Sequence, residues 1–186
     1  MNKFAISQSA CRKIKPKLKF VLQKDEFDRI ILVNRSVKPN YPNWVRKIMY
    51  PKLENIGPTK YDILLEVERW FHKDHKDQAQ IKIKDVFIYL RGGAGANLKT
   101  YMGIRDLEEI QKKGSIFFRK YFQGKIIFGW KGVVLNNFGH QFVPYIYDTG
   151  GTEGTIILNW SWLGHDWRDR DPVVRLGSLR TCSLRT

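Results

Sequence analysis

Cysteine is scarce here, and acid is scarcer than base. The two cysteines, Cys11 and Cys182, stand near opposite ends of a 186-residue chain, which excludes a multi-thiolate metal knuckle and a disulfide framework. One terminal bridge would use both thiols; a reduced, cytoplasmic state fits better. No apolar run approaches the roughly 18 residues of a membrane span. The first residues lack a signal-peptide core, since Arg12 and Lys13 follow too soon. G-x-S-x-G, H-E-x-x-H and kinase-like sets are missing, and neither cysteine has a recognisable histidine partner. No catalytic residue, metal ligand or cofactor is therefore assigned, and an enzyme is the lesser expectation, kept open as a third reading.

Asp and Glu number 18 against 33 Lys and Arg, a formal charge of +15. It is unevenly placed: residues 1–24 hold Lys3, Arg12, Lys13, Lys15, Lys17, Lys19 and Lys24 and no acid. Such a field attracts polyanions, whether nucleic acid, an anionic membrane surface or an acidic protein. Solubility together with a general bias toward lysine explains the same composition without a ligand. The apolar share of 42% and aromatic share of 13% suffice for a real core rather than disorder. A chain of this length buries about 70% of its unfolded surface without staples.

The most ordered pattern runs from Asp106 to Trp160. Leu107, Ile110, Gly114, Phe117, Phe118 and Tyr121 recur at spacings of three and four, the stripe of an amphipathic helix over 107–122. Asp106 is positioned to cap its first turn with Glu109 three residues on, and Gly124 to close its end in a left-handed cap. Lys112, Lys113, Arg119 and Lys120 form a basic side. Beyond Gly124 the period falls to two, and Lys125–Asn136, Gln141–Tyr147 and Thr155–Trp160 read as strands separated by glycine- and asparagine-rich turns. The expected fold is α+β: an antiparallel meander over 125–160 with the helix on one face. Phe117, Phe118, Tyr121, Ile126, Phe128, Trp130, Val133, Ile146, Ile156 and Leu158 would be buried together.

The amino-terminal half is less regular. Lys13–Leu22 alternates lysine with apolar residues, the pattern of an edge strand that Arg29–Asn34 could pair with as a hairpin; a poorly ordered basic arm over 1–30 is the alternative. Pro42 suits the first turn of a short helix with Trp44, Val45 and Ile48 inward, ended by Pro51. Thr59 would cap a helix through Phe71, with a strand at 65–71 as rival. Ile81–Leu90 is a further apolar run, and Val86–Leu90 within it reads as a strand leading into a glycine loop. Residues 31–176 form the core domain, and 177–186, with Ser-Leu-Arg-Thr written twice, a frayed tail.

Several runs resemble an uncharacterised bacterial protein family: Tyr41-Pro42-Asn43-Trp44-Val45, Pro51-Lys52-Leu53-Glu54, Gly57-Pro58, Gln111-Lys112-Lys113-Gly114, Phe118-Arg119-Lys120-Tyr121-Phe122, Val143-Pro144-Tyr145, Trp160-Ser161-Trp162-Leu163 and Pro172-Val173-Val174-Arg175. The resemblance spans about residues 35–176. It implies one intact domain and no mechanism, and leaves the basic arm and the tail outside.

Candidate sites then reduce to a few. Gly93-Ala94-Gly95 lacks the third glycine of a dinucleotide fingerprint, and Lys99-Thr100 lacks the glycine of a P-loop. His72-Lys73-Asp74-His75-Lys76-Asp77 reads as a solvated turn before it reads as a metal site. His165 and Asp166, with Asp169 and Asp171, would be the centre of a hydrolase-type site, although Arg168, Arg170 and Arg175 make surface ion pairs the simpler account. Phe117–Lys125 and Trp130-Lys131 interleave aromatic and basic residues as nucleic-acid binders do, but most of those rings lie on the apolar stripe. Trp160, Trp162 and Trp167 form either a satellite cluster against the amino-terminal half or a patch facing a protein partner. The reading is a nucleic-acid-binding module using Arg12, Lys13, Lys15, Lys17, Lys19, Lys112, Lys113, Arg119 and Lys120, with a protein-interaction module at Trp160–Trp167 as the alternative.

Overall fold

The computed structural model describes residues 28–64, 67–70, 81–92, 96–152, 154–168 and 171–176. Its framework is an antiparallel sheet built on one long strand, β7 (Gln141–Asp148). Along one side of β7 run β5 (Ile127–Phe128) and β6 (Val134–Asn136), with β2 (Val45–Ile48) outside β6; along the other side runs β8 (Ile156–Trp162). β1 (Ile30–Leu32) pairs with β3 (Lys60–Asp62), and β4 (Val67–Trp70) with β9 (Val173–Leu176), both antiparallel. Three α-helices lie among the described residues: α1 (Ile83–Arg91), α2 (Ile104–Lys112) and α3 (Gly114–Phe122). The α+β class is thus observed. No helix among the described residues is long and apolar enough to cross a membrane.

The expected meander survives as β6–β7–β8, but Lys125–Asn136 is not one strand. It breaks at a 3-10 turn, Trp130–Gly132, and its two halves pair separately with the same edge of β7. Pro144 lies opposite the break. It has no N–H to offer that edge, while its carbonyl accepts the Gly129 N–H at 2.8 Å. Its ring also fills the space where a Cβ on Gly132 would come within 2.8 Å of Pro144 Cγ. The missing side chain of Gly132 is what makes room for the proline ring.

The single helix expected over 107–122 is two helices, because Gly114 takes φ +82 and ends the i→i−4 ladder. The helical stripe is otherwise right: Leu107, Ile110, Phe117, Phe118 and Tyr121 are buried. Gly124 has φ +68, as a left-handed helix end requires. Asp106 is not the N-cap. That position is Gly103, and Asp106, three residues on, accepts the Gly103 N–H at 2.9 Å.

The core does not gather as one set. Phe117, Phe118, Tyr121, Ile146 and Ile156 join Ile31, Tyr61 and Val174 under α2 and α3. Phe128, Trp130 and Val133 join Val86, Phe87, Leu90 and Trp167 under α1. Ile127 belongs to the first cluster and its neighbour Phe128 to the second, so the alternation of the strands feeds both faces of the sheet.

Elsewhere the local patterns yield to long-range pairing. Val86–Leu90 is helical, since Ile83, Val86, Phe87 and Leu90 share one face of α1. The helix expected after Pro42 is instead a turn, closed by the Val45 N–H on the Pro42 carbonyl at 3.0 Å, that leads into β2. β6 supplies its ladder, with Val45 opposite Asn136 and Ile48 opposite Val134. The described residues of Thr59–Phe71 hold no helix; β3 lies at 60–62, and β4, within the rival strand at 65–71, at 67–70, held by β1 and β9. Arg29–Asn34 contributes β1, whose observed partner is β3. Lys13–Leu22, the basic arm and the tail lie outside the described residues.

Candidate functional site

Two polar arrangements stand out, one sealed and one open. In the sealed one, Asp106 at the start of α2 is fully buried and meets Arg35 through two hydrogen bonds, Nη2 to Oδ1 at 2.6 Å and Nη1 to Oδ2 at 2.9 Å. The Tyr61 hydroxyl donates to Oδ1 at 3.3 Å. Lys131 Nζ lies 3.6 Å from Oδ2 and donates to the Ile56 carbonyl at 2.8 Å. Arg35 Nη2 also donates to the Pro58 carbonyl at 2.9 Å. Glu54 accepts the Ile104 N–H at 3.0 Å, so its carboxylate sits on the amino end of α2, where the helix dipole favours negative charge.

The strand break explains how Lys131 arrives there. Its N–H donates to the Met102 carbonyl at 3.1 Å, which turns the residue inward against the start of α2. Burial raises the Asp106 carboxyl, but Lys131 and Arg35 outweigh it and hold the group below the usual carboxylate range. Burial lowers Lys131, with Asp106 opposing. Glu54 is pushed by burial up to about 7, against the Ile104 N–H and Lys131. Burial also drives the Tyr61 hydroxyl well above its ordinary value. No member is more than 8% exposed, so no substrate reaches these groups. They join the chain after β1, the Glu54 turn, β3, α2 and the 3-10 turn.

The open arrangement is a groove at one end of the sheet, lined by Trp44, Asn136, Asn137, Phe138, Phe142, Asn159 and Trp160, with a volume of about 410 Å³. The β2–β6 pairing brings Trp44 to Phe142, ring centroids 5.0 Å apart, and to Trp160, edge-on at 5.5 Å. Tyr41 backs Trp160 at 6.1 Å. Phe138, 84% exposed, forms the rim. A row of rings continues from it: His140 at 6.4 Å, then Trp162 at 5.7 Å, then His165 at 5.6 Å. Arg46 and Lys47 follow Trp44 after Val45, both exposed, and among the described residues neither has an acidic partner.

The residues singled out by sequence are scattered. Arg12, Lys13, Lys15, Lys17 and Lys19 lie outside the described residues. Arg119 is tied to Asp148 and to the Gly151 carbonyl at 2.8 Å, and Lys112 to Glu109 at 2.8 Å. Lys113 and Lys120 lie over the Phe117 and Tyr121 rings at 5.9 and 5.6 Å. The helical basic side is thus broken up by intramolecular pairing. Lys131 is no phosphate partner, since it is completely buried, and Trp130 stacks on Phe128.

The three tryptophans occupy three settings. Trp167 is core, against Phe128 and Trp130; Trp160 packs on the amino-terminal half through Tyr41 and Trp44; Trp162 is 42% exposed. His165 is exposed, with Nδ1 3.3 Å from Ser161 Oγ. His165, Asp166 and Asp171 line one cavity of about 240 Å³, in which Asp166 is bound by Lys82 and Asp171 accepts the Ile126 N–H at 3.0 Å. The glycine loop at 93–95, the histidines of 72–75 and Asp169 lie outside the described residues, and the strand that a dinucleotide site would need is α1 instead.

Sequence reasoning missed the sealed arrangement and, of the groove, offered only a tryptophan cluster against the amino-terminal half, which Trp160 alone forms with Tyr41 and Trp44. Arg35, Glu54, Asp106 and Lys131 have no shared spacing; the one signal is Lys131, a lysine inside the apolar run Trp130–Val134. The groove's Asn136-Asn137-Phe138-Gly139 was legible as a turn, but Trp44 reaches it only through strand pairing. Comparison with family models, with curated proteins and with solved structures finds no match for this chain.

Proposed function

We propose that this protein is a binding module for single-stranded nucleic acid that takes bases into the Trp44–Phe142–Trp160 groove. The observation that carries the reading is a ring-lined open groove whose Trp44 stands two and three residues before Arg46 and Lys47, exposed cations with no acidic partner among the described residues, on a molecule of formal charge +15. Bases offer flat faces to aromatic side chains, and each stacked base contributes roughly 1–3 kcal/mol. Phosphates meet exposed cations, with counterion release making the affinity steeply salt-dependent. The helical lysines and Arg119, being already engaged, have a lesser part.

The test is fluorescence anisotropy with mixed-sequence single-stranded DNA and RNA across a salt series. Affinity should fall as salt rises, and both Trp44→Ala and Arg46→Glu/Lys47→Glu should weaken it. No binding at low salt, or binding that ignores both sets of changes, overturns the reading. A second reading, a protein-interaction surface, is favoured by the exposure of Phe138 and Trp162. It requires a complex on size exclusion that Trp162→Ala abolishes.

A further inference from the structure

The row of rings that starts at the groove's rim ends on a second, separate cation. Phe138, 84% exposed, leads through His140 and Trp162 to His165. Trp162 is seated as a platform. A Cβ on Gly164 would stand 2.5, 2.6 and 2.7 Å from Trp162 Cζ2, Cη2 and Cε2, and three nearly equal distances place that point over the ring face rather than at its edge. The glycine backbone thus supports one side of the indole, and the ring remains 42% exposed. His140 is tilted to it at 44° and His165 stands edge-on at 83°, so neither imidazole stacks flat on it. At the far end His165 shares the cavity of about 240 Å³ with Arg168. Arg168 is exposed and has no acidic partner among the described residues. Of the acids in that cavity, Asp166 is bound by Lys82, and Asp171 is buried with the Ile126 N–H on its carboxylate.

We infer that the bound strand runs past the groove along this row, laying bases on the solvent sides of Phe138 and Trp162 and a phosphate on Arg168. Neighbouring ring centroids 6.4, 5.7 and 5.6 Å apart leave no room for a base between two rings, so the bases lie on them. Arg46 and Lys47 stand at one end of the path, on β2, whose Val45 pairs with Asn136 of the groove. Arg168 stands at the other end. Exposed rings between exposed cations match a chain of alternating bases and phosphates, because base stacking tolerates any sequence and each phosphate contact releases counterions. The three cations would face an apolar protein partner without compensation, which is why the occupant is nucleic acid.

This inference rests on the single-strand reading, and the experiment separates the two. Labelled dT4 and dT12 are titrated with the full-length protein across a salt series. A longer oligomer gains affinity merely from the number of registers it offers, so the decisive comparison is how each substitution acts at the two lengths. Trp162→Ala should weaken dT12 about fivefold or more and change dT4 by less than about twofold, the loss of one stacked base from the longer strand alone. Arg168→Gln should lower the salt slope for dT12 by about 0.7, the share of one phosphate contact on a single strand, and leave the slope for dT4 unchanged. Arg168 is exposed, so this second variant keeps the test open if Trp162→Ala disturbs β8. Substitutions that leave dT12 unchanged, or that weaken both lengths alike, overturn the inference; Trp44→Ala weakening both oligomers then leaves the groove reading standing. Failure of both oligomers to bind at low salt overturns the single-strand reading beneath it.

Discussion

The sealed charge cluster and the open aromatic groove invert the usual expectation of what belongs inside. Four ionisable side chains, Arg35, Glu54, Asp106 and Lys131, are buried, while Trp44, Phe142 and Trp160 line a cleft open to solvent. Charges taken out of water cost several kcal/mol each unless paired and hydrogen-bonded. Here two cations face two carboxylates, and backbone N–H and C=O groups saturate most of what remains. The rings cost little where they are, and they gain a use only when something stacks on them. The contrast teaches that polarity alone does not mark function in this molecule: the buried charges hold segments together, and the half-buried rings of the groove are the surface available to a ligand.

The largest effect should come from breaking the sealed side. Asp106→Asn removes the charge between Arg35 and Lys131, and urea denaturation should report a loss of about 3–5 kcal/mol, the scale for uncoupling a buried pair. Next comes pH. The folded chain holds the Glu54 proton more tightly than the unfolded chain does, so Glu54 contributes most below its ordinary value of 4.5 and that contribution drains away as pH rises through about 7. Stability measured from pH 4.5 to 7.5 should therefore fall by roughly 3 kcal/mol from this group, and Glu54→Gln should flatten the slope. At the acid end Asp106 acts with the opposite sign. Its lowered carboxyl adds stability above the ordinary value of 3.8, and this is lost as pH falls through the folded value.

Breaking the open side should leave the fold standing. Trp44→Ala removes contacts to Phe142 and Trp160; about tenfold weaker binding to single-stranded oligonucleotides is expected, with a stability loss smaller than that of Asp106→Asn. The mirror-image control is Lys112→Glu/Lys113→Glu, which changes charge on α2 away from the groove. Its effect on binding should be smaller than that of Arg46→Glu/Lys47→Glu in the same salt. Independent of both sides is Gly114→Ala, which forces an alanine to φ +82 between α2 and α3. With no atom within 4 Å of an added Cβ, only backbone strain remains, about 1–2 kcal/mol in thermal unfolding.

What could be read beforehand divides along the same line. The helical stripe from Leu107 to Tyr121 and the meander strands β6, β7 and β8 were legible because their periods are local. The two-helix break at Gly114 was written in the sequence as a glycine but read as part of the stripe, since a residue without a side chain fits any face. Trp44 was placed in a helix because Pro42 starts helices well, and the β6 ladder prevailed over that preference. Asp106 looked like a cap because it precedes the first periodic residue, yet the cap is Gly103, one turn earlier.

The sequence by itself determined the α+β class, the apolar faces that must be buried, the turns that need glycine, and a charge that favours polyanions. Tertiary structure alone decided which charges are spent inside and which remain outside. Arg35, Glu54, Asp106 and Lys131 meet from four separate stretches of chain, and Trp44 meets Phe142 and Trp160 across three strands. Periodicity reports which way a side chain faces within its own element. It carries no information about the partner on another element, and both the pairing of charges and the stacking of rings depend on that partner.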